Sequence, residues 1–194
     1  AVTAEKGAWV PGPGRHFFAA IKRDFPHLPV IAEDLGLITP AVTALRQSLG
    51  CPGMKVLQFA FARDAGGRPL PLDCERDTVV YPGTHDNDTS RGWYQLCTEM
   101  GETDVIDKYL GIVSRNDAGG VARRMVELAY QCKAGLAVVP LQDILDLGGE
   151  ARMNTPGTVG GNWEWRCLPG VLTPELAAEL AALAAKYGRG DPEA

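Results

Sequence analysis

Two apolar runs in this chain end abruptly in bursts of polar side chains, and this pattern constrains the fold more than any other feature. Val79-Val80-Tyr81 breaks at Pro82-Gly83 and then delivers Thr84, His85, Asp86, Asn87, Asp88 and Thr89 in succession. Pro29-Val30-Ile31-Ala32 runs straight into Glu33-Asp34-Leu35-Gly36. Short runs of β-branched and aromatic residues read as buried strands. Polar groups that follow them lie at strand C-terminal ends, where parallel α/β folds gather functional side chains. Two strand ends carrying carboxylates predict one shared site.

The remaining segments extend this pattern. His16 to Phe25 places Phe17, Phe18 and Ile21 on one helical face, and Pro26 and Pro29 stop it. Thr39-Pro40 is a helix start, with Thr as N-cap and Pro at the first helical position, and Gly50 closes the helix Ala41–Leu49. Met54 to Phe61 is nearly all apolar and predicts a strand buried on both faces. A loop rich in Gly and Pro runs from Arg63 to Asp77. Helices are expected from Thr89 through Leu96, from Thr103 to Ile112 after a break at Gly101, and from Val121 to Gln131. Leu136 to Leu141 predicts a fourth strand, ending at Gln142-Asp143. An irregular polar segment spans Arg152 to Arg166, and Thr173 caps a final Ala/Leu-rich helix from Pro174 to Tyr187. Strand and helix alternate four times, which is the order of a parallel α/β sheet. A closed (β/α)₈ barrel takes about 250 residues and eight such units. Four units predict half a barrel, and four isolated parallel strands would leave raw edges.

Composition excludes several classes of partner. A formal net charge of −5 with no basic block gives no basis for binding nucleic acid or an anionic membrane. No apolar run approaches spanning length and the N-terminus lacks a signal pattern, so a cytoplasmic location is expected. The five cysteines, Cys51, Cys74, Cys97, Cys132 and Cys167, are scattered without CxxC or Cys/His spacing. They are expected to be reduced thiols with no zinc site. His16 and His27 read as surface or capping residues.

Glycoside-cleaving enzymes use two carboxyl groups, one a proton donor and the other a nucleophile or base. Glu33, after an apolar strand, suits the donor role, because partial desolvation holds an acid protonated. Asp86, between His85 and Asn87, sits in a polar setting that keeps a carboxylate ionised, able to stabilise positive charge developing on a sugar. Trp163, Trp165, Phe59 and Tyr94 offer rings for sugar stacking, although the Trp pair also suits a core. Asp34 and Asp88 also read as simple helix N-caps. A magnesium site competes, since Asp86, Asp88, Glu33 and Asp143 are hard oxygen ligands, with His85 an unusual companion.

Four motifs then narrow the choice. Val30-Ile31-Ala32-Glu33-Asp34-Leu35-Gly36, Pro52-Gly53-Met54-Lys55-Val56-Leu57-Gln58-Phe59, Gly83 to Thr89, and Ala151-Arg152-Met153-Asn154-Thr155-Pro156-Gly157-Thr158 with Gly161-Asn162-Trp163 closely resemble the amylomaltases, 4-α-glucanotransferases of the α-amylase clan. The resemblance covers nearly the whole chain in order. It implies a (β/α)₈ barrel of which residues 1–194 form the C-terminal half, strands five to eight, with the N-terminal half of the same barrel as its missing partner. It implies a retaining mechanism without cofactor or metal, in which an α-1,4-glucan segment passes to the 4-hydroxyl of an acceptor. The substrates implied are maltooligosaccharides and glucans derived from starch or glycogen. Glu33 matches the general acid/base and Asp86 the transition-state-stabilising carboxylate. His85 resembles the histidine that hydrogen-bonds the donor-site sugar, and Phe59 and Asn154 match glucan-contacting positions. The family's nucleophilic aspartate lies in an Arg-x-Asp-His-type motif, which does not occur in these residues. It is expected upstream of Ala1, and the chain alone is expected to be inactive. Leu70-Pro71-Leu72-Asp73-Cys74 departs from the Pro-His-Asn-Tyr-like sequence common in the family. The alternative from another class is a non-catalytic glucan-binding or interaction module, and a metal-dependent hydrolase is third.

Overall fold

The computed structural model describes residues 7, 10–36, 38–61, 74–113 and 120–190. The chain divides into two compact units, Ala1–Met54 and Lys55–Ala194. Most of the Gly/Pro loop and the departure at 70–73 lie outside the described residues.

The first unit is two helices and an extended segment. α1 (Gly14–Asp24) and α2 (Pro40–Leu49) bury none of their residues fully. Local chemistry sets the ends of α2. Thr39 Oγ1 accepts the Val42 N–H, Pro40 opens the first turn, and Gly50 adopts φ 67° in the left-handed region that glycine enters at little cost. Lys22 Nζ donates to the Leu49 carbonyl at 3.0 Å, tying α1 to the end of α2. Val30 to Glu33 is not a strand. Its backbone link to the segment opening β1 (Gly53–Val56) is the Ala32 N–H to Pro52 carbonyl bond of 2.9 Å, too little for a ladder.

The second unit is built on parallel pairing. The sheet order is β1-β2-β3, with β2 (Thr78–Tyr81) and β3 (Leu136–Ala137) parallel in the register Val79 to Leu136 and Val80 to Ala137. Among the described residues the sheet therefore has three strands rather than the expected four, and they are shorter than the apolar runs. After Val56 the chain coils into α3 (Leu57–Ala60). There Gln58 donates its N–H to the Pro82 carbonyl at 3.2 Å and its side-chain amide to the Asp88 carbonyl at 2.9 Å. After β3, the Val138 N–H still reaches the Val80 carbonyl at 2.9 Å, and Pro140 then leads into α7 (Leu141–Ile144). Gly135 allows a close approach: its N–H donates to the Arg76 carbonyl at 2.9 Å, and a Cβ there would lie 2.7 Å from that oxygen.

Helices α4 (Ser90–Met100), α5 (Asp104–Leu110) and α6 (Val121–Gln131) enclose the core. Val121, Met125 and Ala129, four residues apart on one face of α6, are fully buried. They meet Leu57, Val80, Tyr94 and Ile106 in one cluster. A side chain of Met125's size contributes about 1.5–3 kcal/mol when buried in this way. Thr89 caps α4 through the Gly92 N–H at 3.1 Å, and Gly101 ends it with φ 73°. α8 (Pro174–Lys186), capped by Thr173 as expected, is joined to α6 where Lys186 Nζ and Tyr187 Oη both donate to Glu127 Oε1, at 2.6 and 2.7 Å. No helix among the described residues is long and apolar enough to cross a membrane.

Candidate functional site

Each of the two polar bursts is held by its own unit. In the first, Asp34 shapes the backbone that carries Glu33. Its Oδ1 accepts the Met54 N–H at 2.7 Å, and its Oδ2 lies 3.1 Å from Arg46 Nε in an ion pair whose side chains are only 9% and 19% exposed. Arg46 also donates to the Cys51 carbonyl at 2.9 Å. A Cβ on Gly53 would fall 2.6 Å from Asp34 Oδ2, so glycine is required beside this carboxylate. Asp34 is thus a brace for the Glu33 segment and not a helix cap, a role that Thr39 fills. Glu33 itself is exposed. Within this unit its side chain does not have the burial expected of a partly desolvated proton donor.

In the second unit the loop following β2 folds on itself. Asn87 Oδ1 accepts both the Thr84 N–H at 2.9 Å and Thr84 Oγ1 at 2.8 Å, while the Asn87 N–H returns to the Thr84 carbonyl at 3.1 Å. This closed turn carries His85 and Asp86 outward, with side chains 52% and 49% exposed. Asp88 does not cap α4 either. Its Oδ1 accepts the Thr89 N–H at 2.7 Å, and the carboxylate packs where Gly92 and Gly149 have no side chain.

Asp86 is then met by a segment almost seventy residues downstream. Asn154 Nδ2 donates to Asp86 Oδ1 at 2.7 Å, and Arg152 donates to the Asp86 carbonyl at 2.7 Å and to the Asn154 carbonyl at 2.9 Å. The Asn154 N–H returns to the His85 carbonyl at 3.1 Å. His85 Nε2 lies 3.3 Å from Asp86 Oδ1, and its ring sits 5.1 Å from that of Trp163 at 38°. The downstream loop is itself pinned: Asn162 Oδ1 accepts the Thr155 N–H at 2.8 Å, and the Trp163 N–H donates to the Met153 carbonyl at 2.6 Å. Two motifs distant in sequence thus form one polar surface with an aromatic flank.

The structure sorts the expected residues as follows. His85, Asp86 and Asn154 are brought together. Phe59, on α3, is 51% exposed, next to the buried Gln58 that touches the Gly83 turn. Trp163 is 51% exposed and so is a surface ring rather than a core residue. Tyr94 is removed from the sugar-stacking set, because it is 5% exposed and spends its hydroxyl on Asp107 at 2.7 Å. Arg152, which joins the Asp86 and Asn154 backbones, is a candidate that sequence reading passed over, although its place two residues before Asn154 was a usable signal.

Asp88 and Asp143, two of the acids offered as magnesium ligands, are engaged by different backbone and hydroxyl donors. Asp143, 2% exposed, accepts the Ser90 N–H and Ser90 Oγ, both at 2.7 Å. Burial pushes its pKa up, and the two Ser90 bonds oppose that. Among the described residues, no group of three or more His, Cys, Asp or Glu side chains converges to hold a metal ion.

Comparison with known proteins shows the family. The sequence model of the family described as 4-alpha-glucanotransferase matches residues 1–172. A 4-alpha-glucanotransferase of Thermus thermophilus is 49% identical over 187 residues, covering 94% of this chain and 37% of the relative. One from Synechocystis sp. is 48% identical over 189 residues, covering 96% and 37%. Among solved structures, an amylomaltase from Streptococcus agalactiae in complex with acarbose superposes with a TM-score of 0.83 at 34% identity, over 97% of this chain and 38% of that one. The chain therefore spans little more than a third of the length of the relatives it matches.

Proposed function

The chain belongs to the 4-alpha-glucanotransferase family, and from that premise we propose that it supplies two of the catalytic carboxylates of a retaining glucan-transferring site. In this reading Glu33 is the general acid/base. It protonates the glycosidic oxygen as the bond breaks and later takes a proton from the acceptor's 4-hydroxyl. Asp86 is the carboxylate that stabilises the positive charge developing at the anomeric centre. His85 and Asn154 hold the sugar's hydroxyls, and Phe59 and Trp163 flank its apolar face. The substrates are maltooligosaccharides or glucans derived from starch or glycogen, and the site is cytoplasmic.

The observation that carries the proposal is the Asn154 Nδ2 to Asp86 Oδ1 bond of 2.7 Å. A neutral amide donor satisfies one carboxylate oxygen without neutralising it, and the side chain stays half open to a ligand. The architecture belongs to the proposal too: residues 1–194 make up the C-terminal half, strands five to eight, of a (β/α)₈ barrel. A third carboxylate, the nucleophile, then comes from a part of the barrel outside these residues.

The test is disproportionation of maltotriose by the full-length protein, followed as release of glucose and longer maltodextrins. Glu33→Gln and Asp86→Asn are each expected to lower turnover by at least about 10²–10³-fold, the loss typical when a transition-state-stabilising group is removed. Near-normal turnover in either variant would refute that residue's role. Glucan binding without turnover in the unaltered full-length protein would favour a non-catalytic binding module instead.

A further inference from the structure

Two cysteine sulfurs meet at the end of β2 opposite the Asp86 loop. Cys74 lies just before β2, and Cys132 ends α6 just before β3. Because β2 and β3 run parallel side by side, the segments leading into them are neighbours too. Their sulfurs are 3.0 Å apart, closer than unbonded sulfurs normally pack, and no disulfide joins them. The backbone around Cys132 is held by one guanidinium. Arg189 donates Nε to the Tyr130 carbonyl at 2.6 Å and Nη1 to the Ala134 carbonyl at 2.9 Å, and it also reaches the carbonyl of Cys132 itself. A cleft of about 870 Å³, lined by Cys74, Cys132, Tyr130, Lys133 and Arg189 among others, opens onto the pair.

We propose that Cys74 and Cys132 are a dithiol site, oxidised to an intramolecular disulfide by a small disulfide of the glutathione type. Cys132 is the more exposed of the two and reacts first. It gives up its proton, and its sulfur attacks one sulfur of the reagent and expels the other as a thiolate. Cys74 then loses its proton and attacks the Cys132 sulfur of the mixed disulfide. The Cys74–Cys132 bond forms and the second thiolate leaves. The protein loses two electrons and two protons, and the reagent is reduced to two thiols.

Position and chemistry support this assignment. The cleft admits the reagent, and Lys133 and Arg189 give its wall positive charge that favours a thiolate and an anionic reagent. The Cys132 thiol is pushed up, first by its contact with Cys74 and then by burial, with Arg189 and Lys55 pulling the other way. Exchange runs through the thiolate and therefore accelerates in mild alkali. The bond would close a loop of 58 residues across the entries to β2 and β3 without touching the turn that presents Asp86.

The experiment incubates the intact full-length protein with oxidised glutathione in mild alkali, blocks the remaining thiols, digests it and maps the peptides by mass. The expected product is a Cys74–Cys132 linked peptide pair, lighter than the sum of the free peptides by two hydrogens and released by dithiothreitol. The variant Cys132→Ser should lose the linked pair. Recovery of both cysteines in blocked form after oxidation would overturn the proposal. So would a glutathione adduct on Cys132 with no cross-link, or a cross-link from Cys74 to a different cysteine. The mapping of the unaltered protein decides the question even if Cys132→Ser folds poorly.

Discussion

Replacing Ser90 by Ala removes one hydroxyl, and the structure fixes what that hydroxyl does. Ser90 is fully buried at the first position of α4, and Asp143 is 2% exposed on α7. The carboxylate accepts the Ser90 N–H on one oxygen and Ser90 Oγ on the other, each at 2.7 Å. It thereby holds the start of α4, directly after the loop that bears His85 and Asp86. An anion at a helix N-terminus is favourable in itself, so the N–H contact survives the substitution. The Oγ contact does not, and Oδ2 is left buried without that donor. A hydrogen bond to a charged group is worth about 1.5–3 kcal/mol, so a loss of about 2 kcal/mol at neutral pH is expected.

The pH dependence sharpens the expectation. Burial is the largest influence on Asp143 and raises its pKa; the two Ser90 bonds lower it, and Asp146 and Asp88 raise it again. A carboxyl group with a raised folded-state pKa contributes stability below its unfolded pKa of about 3.9 and loses that contribution as pH rises through the folded value. Removing Oγ takes away one opposing influence and raises the folded value further, so the ionised group costs more in the variant. The deficit of Ser90→Ala should thus be largest at pH 7 and shrink towards pH 4. Urea titrations of both proteins at the two pH values measure it. A deficit below about 0.5 kcal/mol at pH 7, or one that grows in acid, would refute the reasoning.

Two further substitutions probe packing and binding. Gly92→Ala would place a Cβ 2.6 Å from Asp88 Oδ1, and that carboxylate is held by the Thr89 N–H and packs beside Gly149, so it has no room to swing away. Overpacking of about 1–3 kcal/mol should exceed the gain of about 1 kcal/mol in helix propensity, and an unchanged or raised melting temperature would count against it. Trp163→Ala removes the ring beside His85. If that ring stacks on the sugar, KM for maltotriose in the full-length protein should rise by about 2–10-fold, with kcat little changed, the effect of losing roughly 0.5–1.5 kcal/mol of ring contact. An unchanged KM would remove Trp163 from the site.

Helix ends were legible where their chemistry is local. Thr39-Pro40, Gly50, Gly101 and Thr173 all do what their residue types predict, because a cap depends on neighbours three or four positions away. Strand ends were not. Met54 to Phe61 is an unbroken apolar run, yet the chain coils at Leu57, since Gln58 finds partners in Pro82 and Asp88 that periodicity does not reveal. Val30 to Ala32 has strand composition but little of a ladder to join. Apolar composition therefore reported burial correctly for Val56, Leu57, Val79 and Val80, and strand extent poorly.

The site divides along the same line. That Asp86 closes an apolar run is visible in the sequence, but its donors lie 66 and 68 residues away in Arg152 and Asn154, beyond the reach of any local rule. The placement of Asp86 therefore depends on a loop with no regular secondary structure. That loop is stabilised by Asn162 bridging Thr155 and Thr158, and by Trp163, whose φ of 63° turns its ring towards His85. A non-glycine residue held in the left-handed region costs of order 1–3 kcal/mol. Here the surrounding hydrogen bonds offset that cost, and the conformation places an aromatic ring beside the histidine that touches Asp86. In the glucan-transferring site proposed above, the Trp163 ring and the open half of Asp86 are the apolar and polar surfaces offered to a sugar.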